Sequence, residues 1–225
     1  MRAGHNYGAL VLFIVATFVF IAAAPDEAWA SAVLILLQVG ALLTALWTSG
    51  FGQERRLFIP VAIVAMALAM AAYIFESNSV TAAAAVLDAS LMTVTIAVVG
   101  IGIVDQREVN AKSVTGALCV YLLLGMTFTF IFNAVATIGE GAFFANGSDG
   151  TPFERLYFSY VTMATLGYGD YTAGTTLGRS LAVAELLIGQ LFLVTAVALV
   201  VGLLVSGRRE PPSDIREEVQ PDSKT

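Results

Sequence analysis

Glycine stands at alternate positions of Thr165-Leu166-Gly167-Tyr168-Gly169-Asp170, and that spacing lets main-chain groups do chemistry. Glycine enters left-handed backbone at little cost, so consecutive carbonyls can all turn toward one axis. Repeated by about four chains around that axis, they would stack rings of oxygen. Such rings can replace the water lost by a bare monovalent cation such as K⁺, whose transfer to low dielectric costs on the order of tens of kcal/mol. The carbonyls of Thr165, Leu166, Gly167 and Tyr168 are the candidate ligands, and the Thr165 hydroxyl adds an oxygen at one end. Tyr168 would point away from the axis and brace the loop. A bare Gly-x-Gly is an ordinary turn, so the setting decides.

A short amphipathic stretch, Pro152–Met163, precedes the loop, and long apolar segments at 114–137 and 177–205 flank the pair. In this setting the loop resembles the selectivity filter of potassium channels, T-V-G-Y-G-D, with Leu166 in place of Val. The side chain at that position faces away from the ions, so the change is mild. The resemblance runs from about residue 114 to 205, and Leu156, Ser159, Thr162 and Thr165 match the family's pore-helix pattern. It implies an outer helix, a pore helix ending near Met163, a filter and an inner helix. The carbonyl end of the pore helix would favour a cation in the central cavity.

Further roles follow from the resemblance alone. Gly169 and Asp170 support the filter's outer end, where the family pairs the carboxylate with a pore-helix aromatic at the position of Tyr157. The plain alternative for Asp170 is a vestibule charge. Val161 stands where some bacterial members carry a buried glutamate, so filter behaviour that depends on that acid should be missing. Ala164 departs from the commoner Thr behind the filter, with little consequence for ion binding. Gly189 matches the inner-helix hinge, although a glycine there also serves close packing. Gln190, Val194, Val197 and Val201 share one helical face and are placed toward the axis. A ring of Val201 could close the path by dewetting.

The surrounding chain has 58% hydrophobic and 12% charged residues, the balance of a membrane protein. Six stretches are candidates to cross a hydrocarbon layer about 30 Å thick: 7–24, 29–48, 57–75, 81–104, 114–137 and 177–205. With both termini inside, the inner side carries Arg2, Arg55, Arg56, Arg107, Lys112, Arg208, Arg209, Arg216 and Lys224, against Arg155 and Arg179 outside. That bias fixes the orientation and puts the filter loop outside. Trp29 and Trp47 mark the two ends of the second stretch. Arg2, the first apolar run and Ala22-Ala23-Ala24 or Ala28-Trp29-Ala30 have the look of a signal peptide, but the run exceeds a usual signal core. The lone Cys119 forbids an intrachain disulfide. Asn146-Gly147-Ser148 fits a glycosylation acceptor, a short pattern that also arises by chance. A net charge of −6 excludes nucleic acid as a partner. Glu140, Asp149 and Glu154 are outer-loop acids that could concentrate cations, or simply be solvated.

Two acids fall inside apolar segments, Asp88 and Glu185. A charge at mid-bilayer costs about 2.5–3.5 kcal/mol on insertion scales, so each should face protein or water. Glu185, one turn before Gly189, is expected to fix the filter scaffold by a hydrogen bond, with a titrating gate as the sharper alternative. Snorkelling or pairing with a neighbouring helix accounts for Asp88. Between residues 81 and 104 there is no Lys or Arg, so the charges that a voltage sensor moves are missing. Residues 207–225 are polar, read as disordered, and are too few for a ligand-binding domain.

The expected protein is all-α, a non-enzymatic homotetrameric channel in the plasma (inner) membrane, with six helices and a re-entrant pore loop per chain. Its domains are 1–113, a four-helix unit, 114–206, the pore, and 207–225, the tail. K⁺ passes through it, no cofactor is needed, and the partners are the lipid bilayer, copies of itself and an unidentified regulatory subunit. The competing readings are a weakly selective cation channel, a non-conducting accessory subunit, and a proton-coupled transporter using Asp88 and Glu185.

Overall fold

A computed structural model describes residues 7–23, 28–48, 78–104 and 111–206, with positions 60, 64 and 67 described singly. The expected crossing at 57–75, those positions apart, and the tail at 207–225 lie outside the described residues. Six helices are described: α1 Gly8–Ala23, α2 Ala28–Thr48, α3 Asn78–Val104, α4 Ala111–Ile138, α5 Pro152–Met163 and α6 Thr176–Ser206. The chain is all-helical among these residues, with one isolated bridge between Phe144 and Ala173.

Helices are what such sequences must form. In hydrocarbon every N–H and C=O needs an internal partner, and a helix supplies them all within one segment. The hydroxyls scattered through these segments obey the same rule by bonding to the carbonyl one turn back. Thr17 reaches Phe13 O at 2.8 Å, Thr95 reaches Leu91 O at 2.8 Å, and Thr127 reaches Leu123 O at 2.8 Å.

Among the described residues three helices are long and apolar enough to cross a membrane, over Ala82–Gly102, Val114–Ile138 and Thr176–Leu199. Helix α1, with 16 residues, is shorter than the roughly 20 that a perpendicular crossing takes, and α2 is 21 residues long and apolar over Ala32–Thr48. The chain is therefore a multi-pass membrane protein in composition and helix length.

Helix α4 is the hub, packed against α1, α3, α5 and α6. One apolar core joins α1, α2 and α3 to its buried face through Leu10, Leu42, Leu91, Leu123 and Met126. A second, aromatic core sits between α4, α5 and the loops around them, built on Phe128, Phe132, Phe143, Phe144 and Phe158. The second core holds the candidate site.

Candidate functional site

Helix α5 begins where its sequence says it should. Thr151 Oγ1 accepts from the Glu154 N–H at 3.1 Å, and Glu154 Oε2 accepts from the Thr151 N–H at 2.6 Å. With Pro152 in the first turn, this is a complete reciprocal cap. The helix stops at Met163, because the backbone turns left-handed two residues later. Positive φ recurs at alternate positions, 59° at Thr165, 52° at Gly167 and 83° at Gly169. Two of these are glycines, which bear the geometry without strain; Thr165 bears it with a side chain.

The N–H groups of this loop fold back onto the last turn of α5. Thr165 N–H donates to Thr162 O at 2.9 Å, Leu166 N–H to Val161 O at 3.0 Å, and Gly167 N–H to the same oxygen at 3.5 Å. Across a trans peptide each carbonyl points opposite to the following N–H, so the carbonyls of Thr165 and Leu166 point away from α5. Among the described residues nothing donates to the carbonyls of 165–168, and residues 164–170 are all exposed in the single chain. No cluster of His, Cys, Asp and Glu is placed to hold a metal among the described residues. The oxygens on offer to a cation are main-chain ones and the Thr165 hydroxyl.

Beyond the loop, two phenol–carboxylate pairs tie the chain back to α5. Tyr157 Oη donates to Asp170 Oδ2 at 2.7 Å, and that bond pushes the phenol up to about 12. Tyr171 Oη donates to Glu154 Oε1 at 2.5 Å, which holds the Glu154 carboxyl below its usual value and raises the phenol. The segment after the loop is stitched to the α4–α5 connection by Ala145 N–H to Thr172 O and Gly174 N–H to Phe143 O, both at 2.8 Å. Tyr171 packs on Phe144 with ring centroids 5.0 Å apart, and Phe144 on Phe158 at 5.6 Å. The loop therefore stands in an aromatic cuff.

Behind the loop, Glu185 of α6 is fully buried against Ser159 of α5. Gly189 lies so close to Met163 that a Cβ there would sit 2.5 Å from Met163 Cγ. Close approach, rather than a bend, is what glycine provides in this geometry. The Gln190 amide donates to Met163 O at 3.1 Å, so its side chain reaches the end of α5. Val194, Val197 and Val201 stand open in the single chain, Val194 at 66% exposure. Tyr168 is 67% exposed and Leu166 56%.

Two residues treated above as outer-loop charges have defined work. Glu154 is both helix cap and anchor for Tyr171. Arg155, 7% exposed, donates through Nη1 to Asp149 O and Gly150 O at 2.6 Å each, and through Nη2 to Asn133 Oδ1 at 2.7 Å. It locks the connecting loop to α4. The cap was legible from Thr151-Pro152-x-Glu154; the Arg155 contacts left no local signal. Asp88 is buried in α3, and its Oδ1 has no partner among the described residues.

Residues 118–206 match a family described as "Ion channel". The chain is 32% identical over 93 residues to a Methanocaldococcus jannaschii protein named "Probable potassium channel protein 2", a match covering 41% of this chain and 25% of the relative. It is 29% identical over 90 residues to the Drosophila melanogaster "Calcium-activated potassium channel slowpoke", covering 40% of this chain and 8% of that protein. The matched stretch is thus a quarter or less of either relative. No solved structure matches significantly. Residues 118–206 are thus similar to an ion-channel family and to stretches of two proteins that are named potassium channels.

Proposed function

We propose that this chain is one subunit of a homotetrameric K⁺-selective channel, with Thr165–Tyr168 supplying the ion-binding carbonyls. The observation that carries the reading is the alternation of left-handed backbone at 165, 167 and 169, joined to N–H groups tied back to Val161 and Thr162. The carbonyls left over are the one polar group that hydrated K⁺ must meet to shed its water. A single chain supplies one strand of that lining, and four around an axis make rings. K⁺ is the permeant ion and no cofactor takes part. The names of the two relatives agree with this choice of ion.

The wider arrangement follows. Six crossings with both termini inside place the loop at the outer face of the plasma membrane, as the Lys and Arg distribution requires. Tyr157 and Asp170 brace the outer end of the filter together with Gly169, and Val194, Val197 and Val201 line the inner path. Residues 1–113 form a four-helix unit without sensor charges, since α3 contains no Lys or Arg, and conduction is nearly independent of voltage. An additional regulatory chain would act on the membrane part.

Purified protein in liposomes tests this. K⁺ flux blocked by Ba²⁺, well above Na⁺ flux, and a flat conductance–voltage relation are the expected results, with selectivity lost in Gly167→Ala. Equal K⁺ and Na⁺ flux overturns selectivity and points to a weakly selective pore. Absence of flux at any voltage or pH overturns autonomous conduction and points to an accessory subunit.

A further inference from the structure

The contact between α5, α4 and α6 behind the loop poses a proton-counting problem. Ser159 Oγ lies 2.7 Å from the Gly125 carbonyl oxygen of α4 and in hydrogen-bond contact with Glu185 Oε1 of α6. A serine hydroxyl carries one proton. The Gly125 carbonyl can only accept, and it already accepts from Thr129 Oγ1 at 2.8 Å. An ionised Glu185 could also only accept. Two acceptors would then face one proton, and one of the two short contacts would be a repulsion between lone pairs.

The count closes if Glu185 brings the second proton. The chain of donation then runs from Glu185 Oε1–H to Ser159 Oγ, and from Ser159 Oγ–H to Gly125 O. The rest of the site agrees. Glu185 is fully buried, and its other oxygen, Oε2, has no partner among the described residues. A neutral acid leaves there only a carbonyl, at the modest cost of one unmade bond; a carboxylate would leave half an uncompensated charge in hydrocarbon.

Among the described residues no basic side chain is hydrogen-bonded to Glu185. On α5 the titratable neighbours are Tyr160, which donates to Leu122 O at 2.6 Å, and Arg155, whose two terminal nitrogens serve Asp149, Gly150 and Asn133. Helix α4 carries Lys112, about 20 Å along the helix from Gly125, and Cys119 and Tyr121, the latter stacked on Phe192 of α6. Arg179 on α6 itself donates to Ala173 O at 2.9 Å and lies six residues away.

We infer that Glu185 is held as a neutral carboxylic acid that donates its proton to Ser159, forming a three-helix latch from α6 through α5 to α4 directly behind the candidate filter. Glu185 is in this sense a positioning residue, and its proton belongs to the folded structure. This deepens the channel reading and rests on it for functional meaning, but the proton itself can be observed whether or not the protein conducts.

Infrared spectroscopy of the purified full-length chain at neutral pH is the test. A carboxylic-acid C=O band should appear at the high-frequency end of its range, because Oε2 accepts no hydrogen bond. Carbon-13 labelling of glutamate in the wild-type protein should shift that band, and Glu185→Gln should abolish it. Asp88→Asn separates the other buried acid, and should leave the glutamate-sensitive band intact. The amide of Glu185→Gln can replace the lost donor, so this variant should keep the thermal stability of wild type, whereas Ser159→Ala, which cuts the latch, should not. If no protonated band responds to glutamate labelling, the acid is ionised and the inference fails, even if K⁺ flux is normal. Absent flux with the band present leaves the latch standing and removes the channel reading instead.

Discussion

Replacing Gly189 by alanine changes stability in opposite directions under two readings of this glycine. Alanine is favoured over glycine in a helix interior by about 1 kcal/mol. If Gly189 is there for flexibility, Gly189→Ala should therefore stabilise the fold. In the structure the added Cβ would lie 2.5 Å from Met163 Cγ and 3.5 Å from its Sδ. Unbonded carbons sit about 3.5–4.0 Å apart, so roughly 1 Å of displacement is required. Met163 has little room to give way, being 1% exposed and held through its carbonyl by Gln190 at 3.1 Å. Overpacking of this kind costs about 1–3 kcal/mol, which cancels or exceeds the propensity gain. Met163→Ala removes Cγ and leaves the Met163 Cβ, 3.7 Å from the new methyl, an ordinary contact. Gly189→Ala should thus be neutral to destabilising in the wild-type background and stabilising by about 1 kcal/mol in Met163→Ala, a coupling of about 1–3 kcal/mol. Equilibrium unfolding of the four proteins in one mild detergent, followed by helical circular dichroism, measures the cycle. Additivity within about 0.5 kcal/mol would refute the steric argument.

Two further predictions concern the outer face. Tyr157 is pushed from 10.0 up to about 12 by its bond to Asp170, so the folded state holds this proton more tightly than the unfolded chain. The resulting stabilisation is whole below pH 10, and declines as pH rises through about 12. Phenolate absorbance should show a late transition that disappears in Tyr157→Phe and moves earlier in Asp170→Asn; an unmoved transition in Asp170→Asn would break the assignment. Glu154 is depressed by Tyr171 and by the Thr151 cap, so the sign reverses. Its contribution is complete above the ordinary carboxylate range and disappears as pH falls through the lowered folded value. Thermal unfolding across acid pH should lose part of its acid-side slope in Glu154→Ala, and an unchanged slope means the cap does not titrate as drawn.

Legibility from sequence followed the range of the physics involved. The loop geometry was readable because its requirement is local: glycine at alternate positions permits left-handed backbone wherever the chain goes. The limits of α5 were readable from Pro152 and from the motif that stops it at Met163. The placement of Glu185 against the pore helix came from depth along α6, a matter of helical rise. What could not be read were contacts between distant positions. Arg155 meets Asn133 across 22 residues and Tyr171 meets Glu154 across 17, and no periodicity encodes either pair. Gln190 shows the same limit: spacing puts it on one face with Val194, Val197 and Val201, but its bond to Met163 O, 27 residues away, has no local signal. In α1 to α3 polar residues are too few to mark an orienting face, and packing orients them instead: α1 and α3 against α4, and α2 against α1 and α3.

The case for assembly rests on the polar backbone and not on the exposed apolar helix. Helix α6 has 11% of its span buried, against 67% for α4, and in water such a surface would demand a partner. In a bilayer it does not, since lipid tails are as apolar as Leu191 or Val194 and satisfy that face equally well. The carbonyls of 165–168 differ. They have no donor among the described residues, and an unmet backbone group in hydrocarbon costs several kcal/mol. Lipid cannot relieve that cost, whereas water, a cation, or a cation shared with other copies can. The proposed tetramer would put these oxygens on a common hydrated axis and turn the side chains of Leu166 and Tyr168 outward against neighbouring protein. Tetramer and ion site are, in the proposed reading, one solution to one desolvation problem.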